Sequence, residues 1–282
     1  MSGMPIPEGR YLMLGSGLRL HYHEIGRAGD GRGTVLCLHG GGPGASGYSN
    51  YRRNMQAMAD AGYHVLAPDL IGFGLSDKPD TIDYTSDLHV DAMEQLVAAT
   101  GASHVVPVGN SLGGSVAIEY ALRHRDDVPG LILMAPGSVV DPATFWGKTE
   151  GGTALAALAC ERPLAESRFR EVLGLLVFDP AGIDEAVVAE RFPIAAEQPT
   201  RVFTTVSIRP SWKRLHELTM PVLAFWGARD RFLPVEQVLV LLEKVPRAKA
   251  VVSNECGHWF MIERPDDFNR EVQAFLTGLS GA

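Results

Sequence analysis

Ser111 stands in Gly109-Asn110-Ser111-Leu112-Gly113-Gly114, directly after the apolar run His104-Val105-Val106-Pro107-Val108 and at the head of a helical pattern. A serine held between small residues at a sharp strand-to-helix turn ties strand, turn and helix into one βα unit, because a side chain at Gly109 or Gly113 would collide with neighbouring backbone. The rest of the chain repeats that unit. Thr34 to Leu38, His64 to Pro68, His104 to Gly109, Leu131 to Met134, Val222 to Gly227 and Ala250 to Ser253 read as buried strands. Between them, Asn50 to Ala61, Ser86 to Thr100, Ser111 to His124, Val235 to Val245 and Asp266 to Leu279 carry helical periodicity. Such alternation predicts an α/β fold, a mostly parallel sheet covered by helices on both faces. Tyr11 to Leu14 and Leu18 to Glu24 flank Gly15-Ser16-Gly17 and read as a leading antiparallel hairpin.

The alternation stops between Ala135 and Trp212, where the pattern is helical, and resumes at Pro221. This predicts a first core segment over 1–135, an inserted helical cap over 136–211 and a second core segment over 212–282. A chain of 282 residues, 46% hydrophobic and 21% charged, has enough apolar surface for one large domain with an insertion, which excludes disorder and coiled coil. The net charge of -8 and the lack of a Lys/Arg-rich run argue against nucleic acid and anionic membrane, leaving a small molecule as the expected partner. No segment approaches the roughly 20 apolar residues of a membrane span. Cys37, Cys160 and Cys256 form no C-x-x-C pair and predict neither metal nor disulfide. With no signal-peptide run over Met1 to Arg10, a cytoplasmic setting is expected.

A serine hydroxyl is a poor nucleophile by itself, so the elbow predicts an acid and then a histidine further along the chain. Asp230 follows the strand Val222 to Gly227, and His258 follows the last strand in Cys256-Gly257-His258-Trp259. Both fall in loops at carboxyl ends of strands, the edge where open parallel sheets carry their sites. Taken singly, Asp230 would read as a helix cap and His258 as a loop histidine; their order after Ser111 makes Ser111, Asp230 and His258 a candidate triad. His39-Gly40-Gly41-Gly42-Pro43-Gly44 follows the strand Thr34 to Leu38 and reads as an oxyanion loop, with the Gly41 and Leu112 N–H groups as candidate donors and His39 as a structural support. A phosphate cradle is the competing reading, but no Lys-Ser/Thr follows. Asp69 to Asp77 reads as structural turn chemistry.

Together these residues resemble the α/β-hydrolase superfamily, and more narrowly the meta-cleavage product hydrolases, which hydrolyse a carbon-carbon bond in 2-hydroxy-6-oxohexa-2,4-dienoates formed by ring opening of catechols. The narrower resemblance rests on Leu38 to Gly44, Ser49-Asn50-Tyr51, Gly109 to Gly114, and Cys256-Gly257-His258-Trp259 with Glu263 and Phe268-Asn269 beyond. It covers residues 30 to 140 and 218 to 276. In the cap only Arg191-Phe192 with Ala195 matches, resembling a lid segment whose arginine takes the substrate carboxylate. Pro193 departs from the pattern and is expected to break the helix just after that arginine. The resemblance implies an α/β-hydrolase fold, no metal, no organic cofactor, and commonly a homodimer or larger assembly.

Carbon is a poor leaving group, so cleavage beside a ketone needs the departing carbanion to be stabilised. A dienol substrate answers this: ketonisation puts a proton on the chain, and the fragment leaves as a conjugated dienolate. The site must then hold a carboxylate and an enol oxygen, for which Asn50, Asn110, Arg191 and Trp259 are the candidate substrate-binding residues. Helix capping by Asn50 and packing by Trp259 are the plain alternatives. Aspartate-nucleophile relatives are excluded by Ser111, whereas carboxylesterase, enol-lactone hydrolase and a triad-bearing ligand receptor stay open. Ala154 to Leu158 with Phe169, Leu173, Leu175, Leu176, Val177 and Phe178 make the cap oily, in keeping with an aryl, alkyl or polycyclic substituent on the ketone.

Overall fold

The computed structural model describes residues 7–29 and 31–279; Met1 to Ile6, part of the stretch read as lacking a signal peptide, lie outside the described residues. Eight strands form one sheet in the order β1-β2-β4-β3-β5-β6-β7-β8. The hairpin β1 (Gly9–Met13) and β2 (Arg19–Ile25) is antiparallel, and β2 pairs antiparallel with β4 (His64–Pro68). From there β3 (Thr34–Leu38), β5 (Val105–Asn110), β6 (Leu131–Met134), β7 (Val222–Gly227) and β8 (Ala248–Ser253) run parallel to their neighbours. Every residue of β3 to β7 is buried, which is why these strands read as unbroken apolar runs: helices cover both faces.

The chain leaves β3 toward β4 and returns on its other side to β5, so the strand order reverses between β3 and β5. Connections diverge there and open a crevice beyond the carboxyl ends of the two strands. His39 to Gly44 follow β3, and Ser111 follows β5.

The structure departs from expectation at two helices. The expected helix Asn50 to Ala61 is two short helices, α1 (Gly47–Tyr51) and α2 (Met55–Asp60). Ser46 caps α1 in a reciprocal box with Ser49, so Asn50 lies inside the helix and is not its cap. The break at Asn54 is held by side-chain bonds from its Nδ2 to the Met261 carbonyl and Asn269. Pro193 does not break its helix: after α3 (Ser86–Thr100), α4 (Leu112–Arg123), α5 (Glu150–Ala159) and α6 (Glu166–Leu176), α7 runs from Glu185 to Glu197 straight through it. A proline removes one intrahelical bond, and burial of Val188, Arg191 and Ala195 on both sides of it holds the rest. No strand lies between β6 and β7; the segment holds α5 to α7, α8 (Arg201–Thr204) and short 3-10 turns. After β7 come α9 (Gln237–Lys244), β8, α10 (Phe260–Glu263) and α11 (Pro265–Leu279). Among the described residues no helix is long and apolar enough to cross a membrane.

Asp69, just after β4, joins the parts around the crevice. It accepts from Gly47 N–H (2.7 Å), Leu75 N–H (2.8 Å) and His21 Nδ1 (2.8 Å). Burial pushes its carboxyl up, but the bonds from His21 and Leu75 and the nearby His39 outweigh this and hold it below the usual carboxylate value. Because the folded pKa is depressed, the stabilisation is complete above about pH 4, the unfolded carboxylate range, and is lost as pH falls through the folded value. Asp69→Asn, which cannot accept all three bonds, should cost about 3 kcal/mol at pH 7. Urea unfolding at pH 7 and pH 3 should show that gap narrowing in acid; a gap independent of pH would remove Asp69 from this role.

Candidate active site

Ser111 sits at the tip of the turn between β5 and α4 with φ 53° and ψ -115°. The neighbouring glycines are required by contact. A Cβ on Gly109 would lie 2.3 Å from the Gly113 carbonyl oxygen, and one on Gly113 would lie 2.2 Å from that of Leu38. The turn is fixed from outside as well: Ser111 N–H donates to the Met134 carbonyl (3.0 Å), and its own carbonyl accepts from Ser115 and Gly137 N–H.

His258 Nδ1 is 2.7 Å from Asp230 Oδ2, with both side chains almost wholly buried. Asp230 Oδ1 accepts from the Phe232 and Leu233 N–H groups at 2.8 and 2.9 Å, so the carboxylate caps a turn and orients the imidazole at the same time. With Nδ1 engaged, Nε2 is the ring nitrogen free for another partner, and His258 shares one cavity with Ser111. The histidine loop is clamped to the end of α6: His258 N–H donates to the Leu176 carbonyl (2.8 Å), and Glu263 accepts from both Gly257 N–H (2.9 Å) and Phe178 N–H (2.7 Å). The sequence shows Glu263 only as part of a motif; its clamping role is not legible there, because its second partner, Phe178, lies 85 residues away between β6 and β7.

The loop after β3 lies across the elbow. A Cβ on Gly40 would meet Asn110 Oδ1 at 2.8 Å and Ser111 Cβ at 3.3 Å, and one on Gly41 would meet the Leu112 side chain at 3.1 Å. Leu112 opens α4, so its N–H has no acceptor within the helix. His39 supports the loop as expected. Burial pulls its imidazole down to about 4, and the neutral ring bonds Gly40 O through Nδ1 and accepts from Leu70 N–H through Nε2.

Of the four candidate substrate-binding residues, Asn110 and Trp259 line the cavity and Arg191 stands behind its wall, whereas Asn50 is buried in α1 and does not line it. The Arg191 guanidinium lies over the Trp259 ring, 4.6 Å from its centroid, and its Nη2 sits 3.3 Å from where a Gly42 Cβ would be. Arg191 is 1% exposed, and among the described residues no carboxylate pairs with it. Nε donates to Pro43 O at 3.3 Å, while Nη1 has no partner. Burial pulls its pKa down to about 9, Arg52 adding to the fall against Glu190. Asn110 Nδ2 donates to the Met134 carbonyl at 3.1 Å, but its Oδ1 is unpartnered, as are both polar atoms of Asn50.

The cavity has a volume of about 410 Å³. Of the apolar residues expected to surround the substrate, Leu155, Ala156 and Leu176 reach it, joined by Val172, while Leu158, Phe169 and Leu173 are spent on the core. Much of the remaining wall escaped the sequence reading: Phe145, Trp146, Phe203 and Ile208 precede or follow the stretches chosen for their apolarity, and Phe232 stacks near His258 with centroids 5.2 Å apart. Among the described residues no group of three or more His, Cys, Asp or Glu side chains could hold a metal ion.

Residues 35–271 match the model of the alpha/beta hydrolase family. The chain is 34% identical over 268 residues to the 2-hydroxy-6-oxononadienedioate/2-hydroxy-6-oxononatrienedioate hydrolase 1 of Dechloromonas aromatica strain RCB, covering 92% of this chain and 91% of that protein. It is also 34% identical over 265 residues to the 2-hydroxy-6-oxo-6-phenylhexa-2,4-dienoate hydrolase of Comamonas testosteroni, covering 91% of each. Among solved structures, the meta-cleavage product hydrolase of Pseudomonas fluorescens IP01 superposes with a TM-score of 0.80 at 29% identity, over 95% of this chain and 97% of that one. Fold, elbow and relatives agree that this chain belongs to the alpha/beta hydrolase family, in its meta-cleavage product hydrolase branch.

Proposed function

We propose that this serine-dependent hydrolase cleaves the carbon-carbon bond beside the ketone of a 2-hydroxy-6-oxohexa-2,4-dienoate, a small-molecule substrate, with Ser111 as nucleophile, His258 as base and acid, and Asp230 as its orienting carboxylate. The observation that carries the reading is Arg191: a buried cation without an anion, stacked on Trp259 at the wall of the cavity that holds Ser111 and His258. Leaving a charge so placed is costly, and a substrate carboxylate would offset much of that cost. The unpartnered Oδ1 of Asn110, on the cavity wall, supplies a neutral acceptor for an enol-carboxylate end, and the unpartnered Asn50 amide is the further candidate should the wall open toward it.

The chemistry follows from that anchoring. With the carboxylate held toward Arg191, the bound dienol ketonises and takes a proton on the chain carbon next to the ketone. Ser111 then adds to the ketone carbonyl as His258 accepts its proton, and the Gly41 and Leu112 N–H groups stabilise the oxyanion. Collapse breaks the carbon-carbon bond; the electron pair leaves on a conjugated dienolate, which takes the proton held by His258 and departs as the dienol, and the acyl group stays on Ser111. Water, deprotonated by His258, releases the acid and restores the serine. Residues 136–211 act as a cap over a core made of 1–135 and 212–282. A cytoplasmic setting, read from the cysteine usage, and a homodimer or larger assembly, which rests on the resemblance, belong to the same reading.

Ser111→Ala removes the attacking oxygen and little volume, so steady-state turnover of a dienoate should fall by about a thousandfold or more with folding intact. Wild-type-like turnover by the purified variant would sink the elbow assignment. Arg191→Gln should cost about 2 to 5 kcal/mol in kcat/KM for a dienoate if the pair is desolvated, while a neutral p-nitrophenyl ester is spared. Equal losses on both substrates would make the arginine structural and favour an ester hydrolase. Stopped-flow absorbance separates the two chemistries directly: in Ser111→Ala the bound dienol should still shift its visible spectrum in an early phase and accumulate, whereas a free-dienol spectrum at saturating enzyme, with binding confirmed, would reject the carbon-carbon reading.

A further inference from the structure

The cavity distributes charge unevenly. If the carboxylate end of the dienoate lies toward Arg191 and Trp259, everything beyond the ketone must occupy the remaining wall. That wall presents no lysine or arginine among its described residues. Apart from His258, its only ionisable side chain is Asp141, which has no cationic partner among the described residues and accepts from Ala143 N–H at 3.0 Å. Beside it runs an aromatic face. Phe232 lies 5.2 Å from the His258 ring and 6.5 Å from Trp146, which in turn stands 6.4 Å from Phe145 and nearly perpendicular to it, at 81°. Tilted and edge-on rings at these spacings leave faces and edges against which a further flat ring packs well.

We infer that this subsite selects a neutral aromatic substituent on the ketone and rejects one that ends in a carboxylate. The inference rests on the dienoate reading above. A dienedioate, which names the Dechloromonas relative, would bring its second carboxylate into an apolar space whose only fixed charge is negative. A desolvated carboxylate without a cation is expensive, and like charge adds to the cost. A methyl substituent meets no such penalty but leaves the aromatic face uncovered.

Three dienoates differing only at the ketone test this: the 6-phenyl and 6-methyl compounds and 2-hydroxy-6-oxonona-2,4-dienedioate, each followed by loss of its visible absorbance. The phenyl compound should exceed the dienedioate in kcat/KM by about a hundredfold and the methyl compound by about tenfold. Asp141→Asn keeps a cap-competent side chain and removes the charge, so the phenyl-to-dienedioate ratio should shrink several-fold; Trp146→Ala should shrink the phenyl-to-methyl ratio. A dienedioate turned over as well as the phenyl compound overturns the inference and leaves the carbon-carbon reading standing. Ratios that neither variant moves overturn it as well. Failure on all three dienoates with turnover of a p-nitrophenyl ester is a different result, and brings down the dienoate reading itself.

Discussion

The elbow at Ser111 is the constraint from which the rest of the architecture follows. Its φ of 53° is a conformation a side-chain-bearing residue adopts at a cost of order 1–3 kcal/mol, so the surroundings must hold it. They do so by removing atoms. Gly109, Gly113 and Gly114 allow α4 to start against β3, β5 and Pro136 at distances that no Cβ would tolerate. The same closeness brings the loop after β3 over Ser111, where a Cβ on Gly40 would press on the Asn110 amide at 2.8 Å and one on Gly41 would fit only tightly against Leu112 at 3.1 Å. One strained residue thereby sets the spacing of two strands, a helix and a loop.

The second organising contact is between the helical segment that follows β6 and the loop that carries His258. His258 reaches its position through a short loop whose backbone is bonded to Leu176, and Glu263 bridges Gly257 to Phe178. Burial raises the Glu263 carboxyl, and the bonds from Phe178 and Gly257 oppose that rise. A Cβ on Gly257 would meet the Val177 backbone at 2.7 Å, so the histidine loop and the end of α6 are packed to contact. A displacement of the cap is therefore felt at the imidazole, and a cap held closed by substrate would tighten the same loop.

How far the sequence could be read divides along physical lines. Five of the buried parallel strands show in the sequence as apolar runs, matched to within a residue or two, because full burial demands such a run. Chain order and loop position single out Ser111, Asp230 and His258 as a candidate triad, and the structure brings His258 and Asp230 within 2.7 Å. What eluded the reading depended on partners remote in sequence. Asn54 splits an expected helix because Met261 and Asn269 wait for its amide. Pro193 sits inside α7 because packing outweighs one lost backbone bond. The aromatic wall of Phe145, Trp146 and Phe232 was invisible because its members come from two separate stretches, neither with helical periodicity.

Arg191 shows why burial of a charge can be informative when stability alone would argue against it. A guanidinium at 1% exposure with one carbonyl and one indole for company contributes less to folding than an apolar side chain of similar size would. Gly44 adds to the oddity: a Cβ there would lie 2.1 Å from the Arg191 carbonyl, so the oxyanion loop has given up a side chain to let this turn of α7 approach. Two costs, a desolvated cation and a glycine at φ 65°, are thus accepted at one point beside the cavity. Their common effect is to hold a fixed positive charge behind Trp259, near Gly42 and the loop over Ser111. A molecule that brings an anionic end to that charge is anchored at a set distance from the serine, which turns binding energy into alignment of the bond to be broken.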